Sequence, residues 1–425
     1  MKLVMISDTH FGDPTCTLYN RDKNGEVVEG LKYRSFKEAA GQNNDYLVLI
    51  GDIIDLSVTG YEDAFKIAKA FFLQVQKDKI ADEIIYIPGN HDFDIWHTVE
   101  YQVNIFHQIQ KERQPTHFRW SVPGIIDDRT KSPNRGFTIP GVSRRQDATG
   151  HRYGGLFLDK ITKPEGEETN FNFVYPNLYL VTDKESVVIT HGHYLEAYWV
   201  LAMEWVMKIA SGDLNIDHAH NLKEMVAVNF PLCQLASSGV GQAGPLTKLI
   251  RQVQDDAMAQ KLDKIDTYLE RLAKEIEELS HLPFFLGLLR KLCLKKAKKM
   301  MLDALRKLPA ARYSEDFIYK NEVRKRFWYF YQATMVEINE IDAEYGYDIP
   351  LPWYVIYGHT HMPIHWGAKN APSTPSLGIT NMRPVILYNT GGWLTRRDEK
   401  NQIEFCGAAV FKYETDRGFK SIPVE

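Results

Sequence analysis

Five short apolar runs, each followed by a cluster of Asp, Asn, His and Gly, constrain this chain more than any other feature. Leu3 to Ile6 leads into Ser7-Asp8-Thr9-His10, and Tyr46 to Ile50 into Gly51-Asp52-Ile53-Ile54-Asp55. Ile84 to Pro88 leads into Gly89-Asn90-His91-Asp92, and Val187 to Thr190 into His191-Gly192-His193. Trp353 to Tyr357 leads into Gly358-His359-Thr360-His361. Short β-branched and aromatic runs bounded by glycine read as buried strands. The polar cluster always follows its strand, so the clusters should collect at one edge of a sheet. Helical patterns separate the early runs, as in Tyr61 to Lys77. The N-terminal half therefore reads as βαβ units with ligand-bearing loops at the carboxyl ends of the strands, and the fold class as α/β.

From Leu195 to about Tyr347 the texture turns helical. Leu262, Ile265, Leu269, Leu272, Ile276 and Leu279 recur at alternating steps of three and four, the seam of a helix that packs on another helix. The strand pattern resumes at Trp353 as though uninterrupted. The expected organisation is a core over residues 1–194, an all-helical insertion or cap over 195–350, and the second part of the core over 351–425. Residues Pro115 to Glu168, rich in Gly, Pro, Arg and Asp, read as long loops with short strands.

The clusters supply carboxylate, imidazole and amide oxygen with no sulfur: Asp8, His10, Asp52, Asn90, His191, His359 and His361. This set suits Mn, Fe or Zn better than copper(I) or an iron–sulfur cluster. The number of ligands implies two divalent ions, most simply Mn. Asp52 is the candidate bridge, since one carboxylate can place its oxygens between two ions about 3.5–4 Å apart. Alternate residues of extended chain point the same way, so Asp8 with His10, and His359 with His361, are each expected to converge from one loop. Asn90 would coordinate without adding negative charge that repels an anionic substrate. His91, with Asp92 beside it as the expected orienting carboxylate, is the candidate donor to a leaving oxygen or to developing phosphoryl charge. His193 is placed equally as a weak ligand or as a group behind the ligands.

Taken together and in this order, the five motifs resemble those of the calcineurin-like metallophosphoesterases. The resemblance spans about residues 1–194 and 353–395 and leaves out the helical block. It implies a four-layer sandwich of two mixed sheets flanked by helices, with a dinuclear site at the strand ends. Carried over by position, one metal would take Asp8, His10, Asp52 and His361, and the other Asp52, Asn90, His191 and His359. His91 would lie over the phosphoryl group. Asn389-Thr390-Gly391-Gly392-Trp393 resembles a stretch found after the last histidine motif in many bacterial members, with a structural role expected here. The implied activity is hydrolysis of a phosphate ester or pyrophosphate by in-line attack of a metal-bound hydroxide. No Ser or Cys nucleophile motif competes with it.

Composition narrows the alternatives. A chain of 425 residues with 44% hydrophobic content can bury a large core, while a formal net charge of −4 leaves no global basic footprint for nucleic acid. A nuclease would share the centre but should show a basic, aromatic-lined groove. A binding module that kept the fold without the chemistry should have lost ligands, and none is missing. The cysteines Cys16, Cys233, Cys293 and Cys406 form no CxxC pair and fit a reducing compartment. With the first apolar run starting at Leu3, and no run near the roughly 18 apolar residues a membrane span needs, the expected location is the cytoplasm. From Leu286 to Arg312 nine Lys or Arg stand against one acid, Asp303. If that segment forms a basic amphipathic helix, it can meet an anionic membrane surface. A lipid-linked substrate would then fit, as in UDP-diacylglucosamine pyrophosphohydrolases, which carry Arg where this chain has His91. Asp217-His218-Ala219-His220 imitates a metal motif but follows no strand, and reads as surface. Arg144, Arg145, Arg396 and Arg397 read as solvated cations rather than substrate contacts.

Overall fold

The structure is a computed structural model. It describes residues 1–142, 153, 158, 170–196, 199–200, 202–204, 221–234, 237, 256, 262–279, 295, 299, 317–374, 383–397 and 402–425. Arg144, Arg145, the 217–220 motif and, except for Lys295 and Lys299, the basic segment 286–312 lie outside the described residues. Two compact units divide the chain, one of residues 1–242 and 318–425, the other of residues 243–317.

In the first unit the chain begins with β1 (Lys2–Ile6), the hairpin of β2 (Tyr19–Arg21) and β3 (Val27–Glu29), and α1 (Tyr33–Ala40). There follow β4 (Asn44–Ile50), α2 (Tyr61–Lys77), β5 (Ala81–Ile87) and α3 (Phe93–Tyr101), which runs through a π-helical stretch, Gln102–Phe106, into α4 (His107–Gln110). Next come β6 (Gly124–Asp127), β7 (Gly136–Thr138), β8 (Asn170–Phe173), β9 (Asn177–Val181) and β10 (Ser186–Thr190). Thus the loop-like stretch after Pro115 does contain short strands. After α5 (Leu222–Gln234), the second unit contributes α6 (Leu262–Leu279), the helix its spacing predicts, with Ile265 buried. The first unit resumes with α7 (Asn321–Tyr345), β11 (Tyr354–Tyr357), β12 (Ser373–Thr374), β13 (Val385–Asn389), the hairpin of β14 (Thr395–Arg397) and β15 (Ile403–Phe405), β16 (Ala408–Glu414) and β17 (Gly418–Val424).

Two large mixed sheets result. The first has the order β17-β16-β1-β4-β5-β8, with β1, β4, β5 and β8 mutually parallel and β16 antiparallel to β1. The second has the order β12-β13-β11-β10-β9-β6-β7, with β10, β11 and β13 parallel. Strands β6, β9 and β10 are buried along their whole length, as strands covered on both faces must be. The sheets meet directly, with Tyr46 of β4 and Phe137 of β7 at 6.3 Å between ring centroids.

Helices cover the outer faces. Along α2, Ala64, Ile67, Ala68, Phe71, Phe72 and Val75 are buried, the stripe an amphipathic helix lays on a sheet, and Phe72 meets Phe171 of β8 at 5.0 Å. Against the second sheet, Tyr179 of β9 donates to Glu337 of α7 at 2.6 Å. The described regular elements between residues 195 and 350 are helical, α5 to α7 and a 3-10 turn, Phe317–Tyr319. Among the described residues no helix is long and apolar enough to cross a membrane, and Cys16, Cys233 and Cys406 are free and buried.

Candidate metal centre

Strands β1, β4 and β5 of the first sheet and β10 and β11 of the second bring their carboxyl ends to one seam. The chain turns sharply there. Asp8, His10, Asp52, His359 and His361 all have left-handed backbones, with φ of 52°, 49°, 53°, 68° and 56°. Such residues cost of order 1–3 kcal/mol each and persist only where the surroundings hold them. Here they are held by cross-strand hydrogen bonds: Asp8 N donates to Gly51 O at 3.0 Å and His10 N to Asp52 O at 2.9 Å. The extended backbone expected for each ligand pair is therefore corrected, although both members of each pair do reach the site. Left-handed residues bracket Thr9 and Thr360, the backbone folds back, and His359 and His361 reach different groups. Gly51, with φ of 75°, allows the closest approach, since a Cβ there would collide with the imidazole of His191.

The first group that could hold a metal is Asp8, His10 and His361, all buried. His361 Nε2 lies 3.1 Å from Asp8 Oδ1, and His10 Nε2 lies 3.1 Å from His361 Nε2. His10 Nδ1 faces Asp55 Oδ2 at 2.8 Å, which leaves Nε2 to the group. Burial would push the Asp8 carboxyl up, but His361 and His10 hold it well below the usual range. Burial would likewise lower His10, yet Asp55 and Asp8 raise its imidazole well above its ordinary value.

The second group is Asp52, His191 and His359. His191 Nδ1 donates to Ile50 O at 2.9 Å, so its Nε2 faces Asp52 Oδ2 at 3.2 Å and Asn90 Oδ1 at 3.0 Å. His191 is pushed up to about 9, the carboxylate of Asp52 outweighing the opposing effect of burial. The same Asp52 Oδ2 lies 3.7 Å from His10 Nε2 of the first group. It is fully buried, and among the described residues nothing donates a hydrogen bond to it. A buried carboxylate oxygen with no donor, ringed by imidazole nitrogens that the same charge drives toward protonation, is a site that calls for a cation. Nitrogen and oxygen donors without sulfur fit a divalent ion such as Mn, Fe or Zn.

The structure places His91 at the mouth. Its side chain is 16% exposed, against 3% for His10 and His361. Its Nδ1 faces Ser57 Oγ at 2.6 Å and Asp55 Oδ2 at 3.1 Å. The orienting carboxylate is therefore Asp55, correcting the expected Asp92. Asp92 sits at the start of α3 with its carboxylate turned back into the turn, where it accepts from the backbone N–H of Asp52 at 3.2 Å, of Ile53 at 2.8 Å and of Gly89, and from the Tyr86 hydroxyl. It braces the loop that presents Asp52. Adjacent residues at a turn diverge, and chain proximity misassigned the pair. His10, Asp55 and His91 also form a group with metal-ligand spacing, but Asp55 Oδ2 already joins the two imidazoles by hydrogen bonds.

His193 stands behind His191 at 5.5 Å between ring centroids, with Nε2 facing Tyr175 Oη at 3.2 Å, and belongs to none of the three groups. Burial, then His191, holds its ring neutral. Asn389 Nδ2 donates to Gly358 O at 2.6 Å and Thr360 Oγ1 at 3.0 Å, while Ser7 Oγ touches Thr390 Oγ1 and donates to Asp8. The Asn-Thr-Gly stretch thus ties two ligand loops together. Arg396 pairs with Glu404 at 2.7 Å. Sequence reasoning missed Asp55, visible in the Gly51-Asp52-x-x-Asp55 spacing, and Glu196, whose Oε2 lies 2.6 Å from His359 Nε2 with no sequence signal to announce it.

A family model described as calcineurin-like phosphoesterase matches residues 1–213. The match takes in Asp8, His10, Asp52, Asn90, His91 and His191, whereas His359 and His361 fall beyond it and join the group through the fold. No curated protein matches the chain.

Proposed function

Since the chain belongs to the calcineurin-like phosphoesterase family, whose activity is metal-dependent phosphoester hydrolysis, we propose that it cleaves a phosphate ester or pyrophosphate at a dinuclear centre, most simply of two Mn ions. The observation that carries this reading is Asp52 Oδ2, which lies 3.2 Å from His191 Nε2 and 3.7 Å from His10 Nε2, in reach of both groups at once. Asp8, His10, Asp52 and His361 would hold one ion, and Asp52, Asn90, His191 and His359 the other. Bound metals would lower the pKa of a water molecule and offset phosphoryl charge.

The protein's own residues supply the rest. Asp55 and Ser57 hold His91 by Nδ1, so Nε2 would be the nitrogen that gives a proton to a leaving oxygen. Asp55 and Ser57 thereby fix the orientation of the ring. Asp52 is oriented by the backbone N–H of His91, which donates to Oδ1 at 2.7 Å. Asn90 completes the second group with a neutral oxygen, so an anionic substrate meets no further negative charge.

The test is to strip the protein of metal, reload it with Mn, Fe or Zn, and measure both stoichiometry and hydrolysis of phosphomonoesters, phosphodiesters, pyrophosphates and nucleic acids. Two ions per chain with turnover on at least one ester class is the expected result. A single ion at saturation, or no hydrolysis of any ester, would overturn the reading.

A further inference from the structure

We infer that Glu196 is a positioning residue for the second metal position, deciding which nitrogen of His359 is offered there; this rests on the dinuclear reading above. Glu196 Oε2 and His359 Nε2 lie 2.6 Å apart with side chains only 4% and 1% exposed. An ionised carboxylate can only accept, so Nε2 of His359 carries the proton and Nδ1 is the nitrogen with a lone pair for a metal. His10 and His191 are arranged the opposite way. Their Nδ1 atoms are taken by Asp55 and by the Ile50 carbonyl, and both offer Nε2. His359 thus differs from both in being held from Nε2.

Why this carboxylate stands there follows from the turn after β10. Gly192 adopts φ of 97°, and a Cβ at that position would collide with Tyr357, two residues before His359. The turn His193–Leu195 then brings Glu196 back over His359, with Glu196 N donating to His193 O at 3.0 Å and Trp199 N to Glu196 O at 3.2 Å. His359 is equally constrained: its backbone N donates to Asp8 Oδ2 at 2.9 Å, and its ring meets His191 edge-on at 5.2 Å. A carboxylate this deeply buried is costly unless it is partnered. One that partners a metal-binding imidazole also raises the basicity of the coordinating nitrogen.

The experiment titrates metal-free wild type, Glu196→Gln and Glu196→Met with Co(II), following ligand-field absorption, and records the melting temperature of each metal-free form. Gln keeps an acceptor for Nε2–H but not the charge. Met matches the length, is tolerated in cores, and removes the acceptor. Glu196→Met should weaken one of the two ions by roughly 10–100-fold, the usual cost of losing such a partner, and leave the other unchanged. Glu196→Gln should fall between it and wild type. Wild-type affinity for both ions in Glu196→Met, equal weakening of both ions, or a Gln variant as impaired as Met would each overturn the assignment. Fewer than two ions on wild type would instead bring down the dinuclear reading beneath it.

Discussion

The two sheets make unequal contributions to the seam between them. The first supplies the charge and the oxygen: Asp8 and His10 after β1, Asp52 after β4, Asn90 and His91 after β5. The second supplies imidazoles, His191 after β10 and His359 and His361 after β11, and behind His359 the carboxylate of Glu196. Their outer coverings differ in the same sense. Helix α2 lies on the first sheet through Phe71, Phe72 and their apolar neighbours. Helix α7 meets the second through a buried polar seam, in which Glu337 accepts from Tyr179 at 2.6 Å and from Ser121, and Asn177 Nδ2 donates to Thr334 Oγ1 at 3.3 Å. Asp8 and Asp52, the carboxylates in the two groups that draw on both sheets, come from the first, and clustered buried carboxylates need a compensating cation. The first sheet therefore creates the demand for a cation, and the imidazoles of the second join the two groups only where the sheets dock.

The sharpest way to break this comparison is Asp52→Asn, which removes charge from the first sheet at the one atom that reaches both groups. Activity should be lost and metal content should fall at both positions, as elemental analysis of the purified variant will show. Two ions at full occupancy with normal turnover would sink the bridging role.

Next in size is the pair Asn90→Ala and His91→Ala, neighbours on one loop of the first sheet. His91→Ala should keep its metal and lower kcat by roughly 10²–10⁴-fold, the range for loss of a positioned general acid. The defect should shrink for esters with good leaving groups. Asn90→Ala should instead weaken the second ion, and excess Mn should restore part of the rate. Metal loss in His91→Ala would show that the two neighbours do not divide the work.

The smallest expected effect tests the other side. Burial pushes the Glu337 carboxyl up to about 7 from an ordinary 4.5, against the pull of Ser121, Tyr179 and Lys223. The folded protein then keeps this proton to higher pH than the unfolded chain. Stability should fall as pH rises from about 4.5 to about 7 and level off above, by about 1–3 kcal/mol. In Glu337→Gln that slope should be absent from urea-unfolding midpoints measured across the range. An unchanged slope would assign it to other groups.

Much of the fold was legible because strands buried on both faces must be continuous apolar runs, and the clusters that end them are conspicuous. The seam of α6 was equally visible, from Leu262 to Leu279. The contacts within the site were less so. His91 and Asp92 are adjacent and were expected to act together, yet the turn at the start of α3 sends one to the mouth and the other into the backbone of the Asp52 loop. Extended geometry was expected to make Asp8 and His10 converge, but left-handed residues do so instead.

The sequence by itself determined the strands, the donor atoms and their chemistry, because these depend on local pattern and on residue type. Only the tertiary structure decided which carboxylate faces which imidazole nitrogen. Asp55 is 36 residues from His91, and Glu196 is 163 residues from His359. No local preference encodes partners that far apart. Their meeting depends on how two sheets dock and how tightly the loops between them turn, and the same packing sets each tautomer.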